Sequence, residues 1–256
     1  MRLLTIAQKG KVTVDHICFK MLSGPISYKT FKPERKQKMD PEIIQTNGLY
    51  AITLEFASGL VGPPLFDAIN RIVKQEGARI HLTTSQKIMI LDLSKKSAMK
   101  AIKILDELGA DYKFPKQVYQ PRVCVGSAYC KLGLTETLRF GERIYENFAH
   151  FDIPYKIKIG VSGCRASCAH STFADIGFIG RKSGYNVYVG GKSGISPKTG
   201  QLLTTSVTED NALKILENVI HLYCKDCDLG QTRPRVFHTI EKIGFDEFKT
   251  LVMSHE

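Results

Sequence analysis

KIKIGVSGCRASC, residues 156–168, runs from alternating lysine and isoleucine into a glycine-marked turn that carries two cysteines, Cys164 and Cys168. The alternation predicts a strand, and Ser162-Gly163 predicts that it stops where the thiols begin. A second pair, Cys124 and Cys130, stands upstream in RVCVGSAYC, residues 122–130. The chain between the pairs is long enough for a helix and a strand, so each pair flanks regular structure. Seven cysteines in 256 residues, without a secretory leader in the sequence, point to metal or redox chemistry more than to a disulfide framework. A structural zinc usually takes tighter knuckles in a small loop-rich unit. Four thiols flanking regular structure in a large apolar chain suit an iron–sulfur cluster better, with buried packing cysteines as the bland reading of either pair alone.

Upstream, LYAITLEF (49–56) alternates as a strand, and GPPLFDAINRIVKQEG (62–77) is a helical pattern with proline at its start and glycine at its end. ARIHLTTSQKIMILDL (78–93) gives two strands about a threonine-rich turn, and SKKSAMKAIKILDELG (94–109) a helix with a serine cap. The order β-α-β-β-α over 49–110 is half of a ferredoxin-like sandwich. Downstream, LTETLRFGERIYENFAHF (134–151) predicts a helix opening on a capping box at Thr135. ADIGFIG and YNVYVGG predict two further strands, TEDNALKILENVIHLYCKD (208–226) a capped helix, and the tail from Arg233 one or two short helices. The expected class is therefore α/β (α+β). Residues 1–47 are an N-terminal arm or lead-in, 48–115 a ferredoxin-like half-domain, and 116–256 a mixed α/β cluster domain with C-terminal helices.

Composition agrees with an ordered globule, at 43% hydrophobic residues. No apolar run approaches the ~18 residues that cross a bilayer, so the expectation is a cytoplasmic protein without a membrane partner. Thirty-six Lys and Arg against 25 Asp and Glu leave a net charge of +11, which favours an anionic partner. The basic residues are spread along the chain, with no helix-turn-helix, zinc-finger or RNA-stacking signature, so nucleic acid is not expected.

The half-ferredoxin lobe with HLTTSQ, the two cysteine pairs around a helix, and the strands ADIGFIG and YNVYVGG together resemble the sirohaem and [4Fe–4S] module of sulfite and nitrite reductases. The likeness covers roughly residues 48–250, and the paired cysteines with VSGC are its specific part. It implies that Cys124, Cys130, Cys164 and Cys168 hold the cluster and that Cys168 is also the axial ligand of the sirohaem iron. It further implies that Arg79, His81, Thr83, Thr84 and Gln86 contact sirohaem, and that Arg122, Lys156 and Lys158 face the substrate anion, sulfite or nitrite. Alternation places Lys156 and Lys158 on one side of their strand. Sirohaem carries several carboxylates, which gives the excess of positive charge a use.

The chain departs from the family in three places. Cys164-Arg165-Ala166-Ser167 replaces a common Cys-Pro-Asn, putting a charge beside the cluster that could pair with a sirohaem carboxylate. Thr53-Leu54-Glu55 and Ser85 stand where substrate-facing arginines are frequent. Larger members carry two such modules and this chain one, so a homo-oligomer or pairing with a related subunit is expected. Neither a flavin fingerprint nor a dinucleotide-binding glycine motif is present, so electrons are expected from an external ferredoxin-like donor. Alternatives are a non-catalytic sirohaem and Fe–S electron-transfer subunit, a reductase of another small molecule with the same cofactors, or a zinc-stabilised binding protein. Cys224 and Cys227 form an extra pair at a helix end, either a zinc or redox site or free thiols.

Overall fold

A computed structural model describes residues 41–149, 151–225 and 233–254. The first sheet has the order β1-β2-β4-β3, formed by Glu42–Ile44, Tyr50–Glu55, Ile88–Leu93 and Arg79–Leu82, with β5 (Asp111–Tyr112) also on β2. All pairings are antiparallel. Helices α1 (Pro63–Glu76) and α2 (Lys95–Glu107) bury Ile69, Ile72, Ala98 and Leu105 against Ile52, Leu54 and Ile90. The local signals act as expected. Prolines open α1 and Gly77, at φ 63°, closes it, while the Ser94 hydroxyl accepts from Ser97 N at 3.1 Å to cap α2. The sheet also takes in β1, which lies within the stretch read from sequence as an arm. Three residues with an exposed apolar face give too short a pattern to recognise.

The second sheet runs β10-β9-β8-β7-β6. Its strands are Arg122–Val123 (β6), Ile159–Ser162 (β7), Ile176–Arg181 (β8), Gly184–Val189 (β9) and Gln201–Val207 (β10). β6, β7 and β8 are parallel, and β8, β9 and β10 antiparallel. β7 and most of β8 are buried on both faces, which is why they appear in sequence as continuous apolar runs. Helices α4 (Thr137–Phe148) and α5 (Glu209–Lys225), with α6 (Val236–Ile243) and α7 (Phe245–Met253), complete a core centred on Phe140, Phe178 and Tyr185.

Two elements are added to the sequence reading and two of its expectations are corrected. β10 escapes notice because two register shifts break its alternation and only Leu203 is buried. The one-turn helix α3, Gly126–Tyr129, is an addition inside the first cysteine pair. α4 starts at Thr137 with Glu136 at its N-cap and no side-chain cap, so the box expected on Thr135 does not form, and the Thr137 hydroxyl donates to the Cys124 carbonyl. Lys156 and Lys158 precede β7 rather than riding on it, since the Lys158 amide bonds the Asp175 carboxylate at 2.7 Å in place of a strand neighbour.

The sheets meet through a 3-10 turn, Ala57–Gly59, where Ser58 Oγ donates to the Leu138 carbonyl at 2.5 Å. Among the described residues no helix is long and apolar enough to cross a membrane.

Candidate functional site

All four cysteines of the two pairs line one cleft of about 350 Å³ beyond the ends of β6 and β7. A parallel strand end opening into loops is where an α/β sheet places a ligand. Cys124 leaves β6 with its amide bonded to the Val161 carbonyl at 3.0 Å, and α3 brings Cys130 back, its amide on the Gly126 carbonyl at 2.9 Å. The second loop is tied to the first. Gly163 N donates to Cys124 Sγ at 3.0 Å and Leu134 N to the Gly163 carbonyl at 2.8 Å. Two glycines make this approach possible. A Cβ on Gly163 would come within 3.0 Å of Gly126 Cα, and Gly126, at φ 60°, would drive one into the Thr137 and Thr135 backbone at 2.7 and 2.8 Å. Beyond Cys168 the chain folds over β7 and β8 as a 3-10 turn, Ser171–Phe173, where the Ser162 and Ser171 hydroxyls share a 2.8 Å hydrogen bond.

Among the described residues no three His, Cys, Asp or Glu side chains converge on one ion. A tetrahedral zinc needs its sulfurs about 2.3 Å from a single centre. Thiols ringing a recess suit a cluster instead, in which each iron takes its own thiolate. A backbone N–H already aimed at Cys124 Sγ is the kind of contact that stabilises a thiolate and tunes such a cluster.

The cleft is also lined by Thr84, Gln86, Arg122 and His170. Arg122 Nη1 lies 3.2 Å from His170 Nδ1, so that nitrogen accepts and the ring proton sits on Nε2. Its Nη2 is buried without a hydrogen-bond partner among the described residues, and burial lowers the guanidinium pKa. An unanswered donor on a partly desolvated cation is a costly arrangement that an anion in the cleft would relieve. The residues present therefore fit a four-thiolate cluster beside an anionic group. His170 was not picked out from sequence. Its position two residues past Cys168 was the available signal.

Other predicted residues lie outside the lining. Arg79, on the exposed strand β3, pairs with Asp92 at 2.6 Å, and that contact raises its pKa. His81 is exposed on the same strand. The Thr83 hydroxyl closes the hairpin, accepting from Ser85 N and Lys87 N at 3.3 and 3.1 Å. Arg165 is exposed and makes no ion pair among the described residues. Lys156 stacks over the Tyr155 ring at 5.0 Å. Lys158 is half-buried with Nζ 3.4 Å from Ser193 Oγ, and its pKa is lowered by burial first, then by the positive charges of Arg235, Lys156 and Arg122. These four cations thus share one electrostatic neighbourhood. Asp175, wholly buried, anchors it by accepting from Arg235 Nε at 2.8 Å, Arg235 Nη2 at 2.5 Å and Lys158 N.

Glu55 and Lys87 form a buried ion pair under Tyr119, whose ring centre is 4.8 Å from the ammonium. Burial, with Lys113 adding repulsion, brings Lys87 down to about 7. Glu55 belongs to the Thr53-Leu54-Glu55 stretch in which the family resemblance expected a substrate-facing arginine, and Lys87 lies two residues past Ser85, the other such position. Cys224 packs against the core from α5, whereas Cys227 and Cys18 lie outside the described residues.

Comparison with known proteins places these features. Residues 115–256 match the family described as the nitrite and sulphite reductase 4Fe-4S domain, and 43–108 the nitrite/sulfite reductase ferredoxin-like half domain. The assimilatory-type sulfite reductase of Nitratidesulfovibrio vulgaris is 32% identical over 215 residues, covering 82% of this chain and 96% of that protein. The NADH nitrite reductase large subunit of Escherichia coli is 27% identical over 194 residues, 75% of this chain but 23% of the relative. Among solved structures, the NirA protein of Mycobacterium tuberculosis superposes with a TM-score of 0.67 at 26% identity, covering 83% of this chain and 42% of that one. A dissimilatory sulfite reductase, at 14% identity and a TM-score of 0.68 over 80% of this chain and 69% of that one, shares the fold.

Proposed function

We propose that this chain, which belongs to the nitrite and sulfite reductase family, is a single-module enzyme that reduces sulfite. It is an oxidoreductase of that family, which fits a [4Fe–4S] cluster and sirohaem as cofactors. The observation that carries the reading is the cleft itself, four thiols beside an Arg122 donor that has no partner among the described residues. Cys124, Cys130, Cys164 and Cys168 would hold the cluster, with Cys168, the exposed member, shared with the sirohaem iron. When bound, these cofactors supply the six electrons that, with seven protons, turn one sulfite into one hydrosulfide and three waters.

The chain's own residues bind the anion and deliver protons. Arg122 directs its buried Nη2 at an oxyanion while His170 holds Nη1. Lys158, lowered by burial and by its cationic neighbours, releases a proton more readily than an ordinary lysine, as a general acid for departing oxygens requires. Lys156 adds to the local positive field. Thr84 lines the same cleft, where sirohaem would lie. Electrons come from an external ferredoxin-like protein, and a second copy or a related subunit completes the partner side of the site. Sulfite is favoured over nitrite because the relative matched over 96% of its length is a sulfite reductase.

Anaerobic purification with iron, acid-labile sulfide and absorption analysis, followed by oxidation of a reduced dye by sulfite and by nitrite, tests this reading. Expected are cluster iron, sirohaem bands and faster turnover of sulfite. A colourless protein with stoichiometric zinc sinks the cofactor assignment, and preference for nitrite sinks the substrate.

A further inference from the structure

We infer that Gln86 is a positioning residue whose carboxamide clamps the Val123 peptide and thereby holds Arg122 and Cys124 in register across the cleft. Among the described residues β6 is the edge of its sheet, pairing with β7 alone. In a parallel ladder successive residues turn their N–H and C=O groups to opposite sides. Cys124 N bonds the Val161 carbonyl in β7, so Val123 turns its own groups to the open edge. Gln86 stands there in place of a strand. Its Oε1 accepts from Val123 N at 2.7 Å, and its Nε2 donates to the Val123 carbonyl at 2.6 Å.

The clamp is itself braced. Gln86 sits at φ 58° in the β3–β4 hairpin, a conformation unusual for its type. Its amide bonds the Thr83 carbonyl at 3.2 Å, and its carbonyl accepts from Gln120 Nε2 at 3.4 Å. Gln120 Oε1 in turn accepts from Phe56 N at 2.5 Å. The next residue, Lys87, is locked by Glu55. The half-domain thus reaches across to the one residue that lies between the anion-binding arginine and the first thiol, gripping the peptide on either side of it. One donor and the acceptor oxygen of this amide are both spent on Val123, so its principal work is on the backbone. The role of Arg122 rests on the function proposed above.

The test uses the cofactor-loaded protein and the variants Gln86→Leu, Arg122→Ala and their double. Gln86→Leu is expected to retain cluster and sirohaem spectra, raise the KM for sulfite about tenfold by misplacing Arg122, and leave KM unchanged when Arg122 is already alanine. Deuterium exchange at the Val123 amide should quicken roughly three- to tenfold, as one hydrogen bond is lost. Additive KM effects, loss of sirohaem from Gln86→Leu, or unchanged Val123 exchange overturns the clamp. If Arg122→Ala alone keeps the wild-type KM, the reading of Arg122 fails, and Val123 exchange then decides the clamp by itself. Should Gln86→Leu not accumulate, Gln86→Glu keeps the length and the acceptor but sets an oxygen against the Val123 carbonyl. It should raise KM likewise, and a wild-type KM there also overturns the clamp.

Discussion

Replacing Asp175 by asparagine should be among the most damaging isosteric changes in the second domain. The carboxylate is wholly buried and accepts three hydrogen bonds, two from Arg235 at 2.8 and 2.5 Å and one from Lys158 N at 2.7 Å. Asparagine has one acceptor oxygen, so whichever way it turns at least one donor meets an NH₂. The larger loss is charge. The Arg235 side chain is only 10% exposed and would keep a positive charge without a counterion. Breaking a buried pair from one side costs about 3–5 kcal/mol. At roughly 2–4 °C per kcal/mol for a chain of this size, the melting temperature should fall by about 6–20 °C. Thermal denaturation at matched cofactor content measures this, since bound cofactors stabilise the folded state on their own account. Asp175→Asn with Arg235→Met should recover much of the loss, because the stranded charge is gone and an apolar side chain fills its space. A shift under about 3 °C, or a double variant whose loss equals the sum of the single losses, would refute the reasoning.

Lys87→Met tests the buried pair with Glu55. In the folded protein Lys87 gives up its proton near pH 7, against an ordinary value of 10.5, so between these the unfolded chain holds more protons and stability rises with pH. Melting curves across that window should be flatter for the variant, and an unchanged slope would remove Lys87 from the account. Cys168→Ser should break the magnetic coupling between cluster and sirohaem and lower sulfite turnover about a hundredfold. Coupling that survives in its low-temperature spectra would move the shared ligand elsewhere. Lys158→Ala should lower kcat about a hundredfold with both cofactors retained. The wild-type rate should fall as pH rises through the depressed Lys158 pKa, and that limb should vanish in the variant. Loss of either cofactor would contradict the assigned role.

Much of the half-domain was legible because its signals are local. Proline and glycine bound α1, serine caps α2, and alternating residues mark β2 and β4. The two cysteine pairs stood out for the same reason, since each is closely spaced within a turn. Where local pattern is weak the reading failed. β10 buries one side chain and shifts register twice, and β1 is three residues long. Lys156 and Lys158 alternate as a strand would, yet a carboxylate from the neighbouring strand's approach takes the Lys158 amide and ends the ladder early.

Sequence by itself determined the fold class, the order of the longer elements and the turns that carry the two cysteine pairs, because periodicity and spacing are properties of neighbouring residues. Tertiary structure alone decided what surrounds them. Gln86 meets Val123 across 37 residues, Arg122 meets His170 across 48, and Arg235 meets Asp175 across 60. Each is a pairing of polar groups that only the folded chain brings together, the first between the two sheets and the other two within residues 115–256. No periodicity records such a partner, because the cost of leaving a buried donor unanswered arises only once the chain has folded around it.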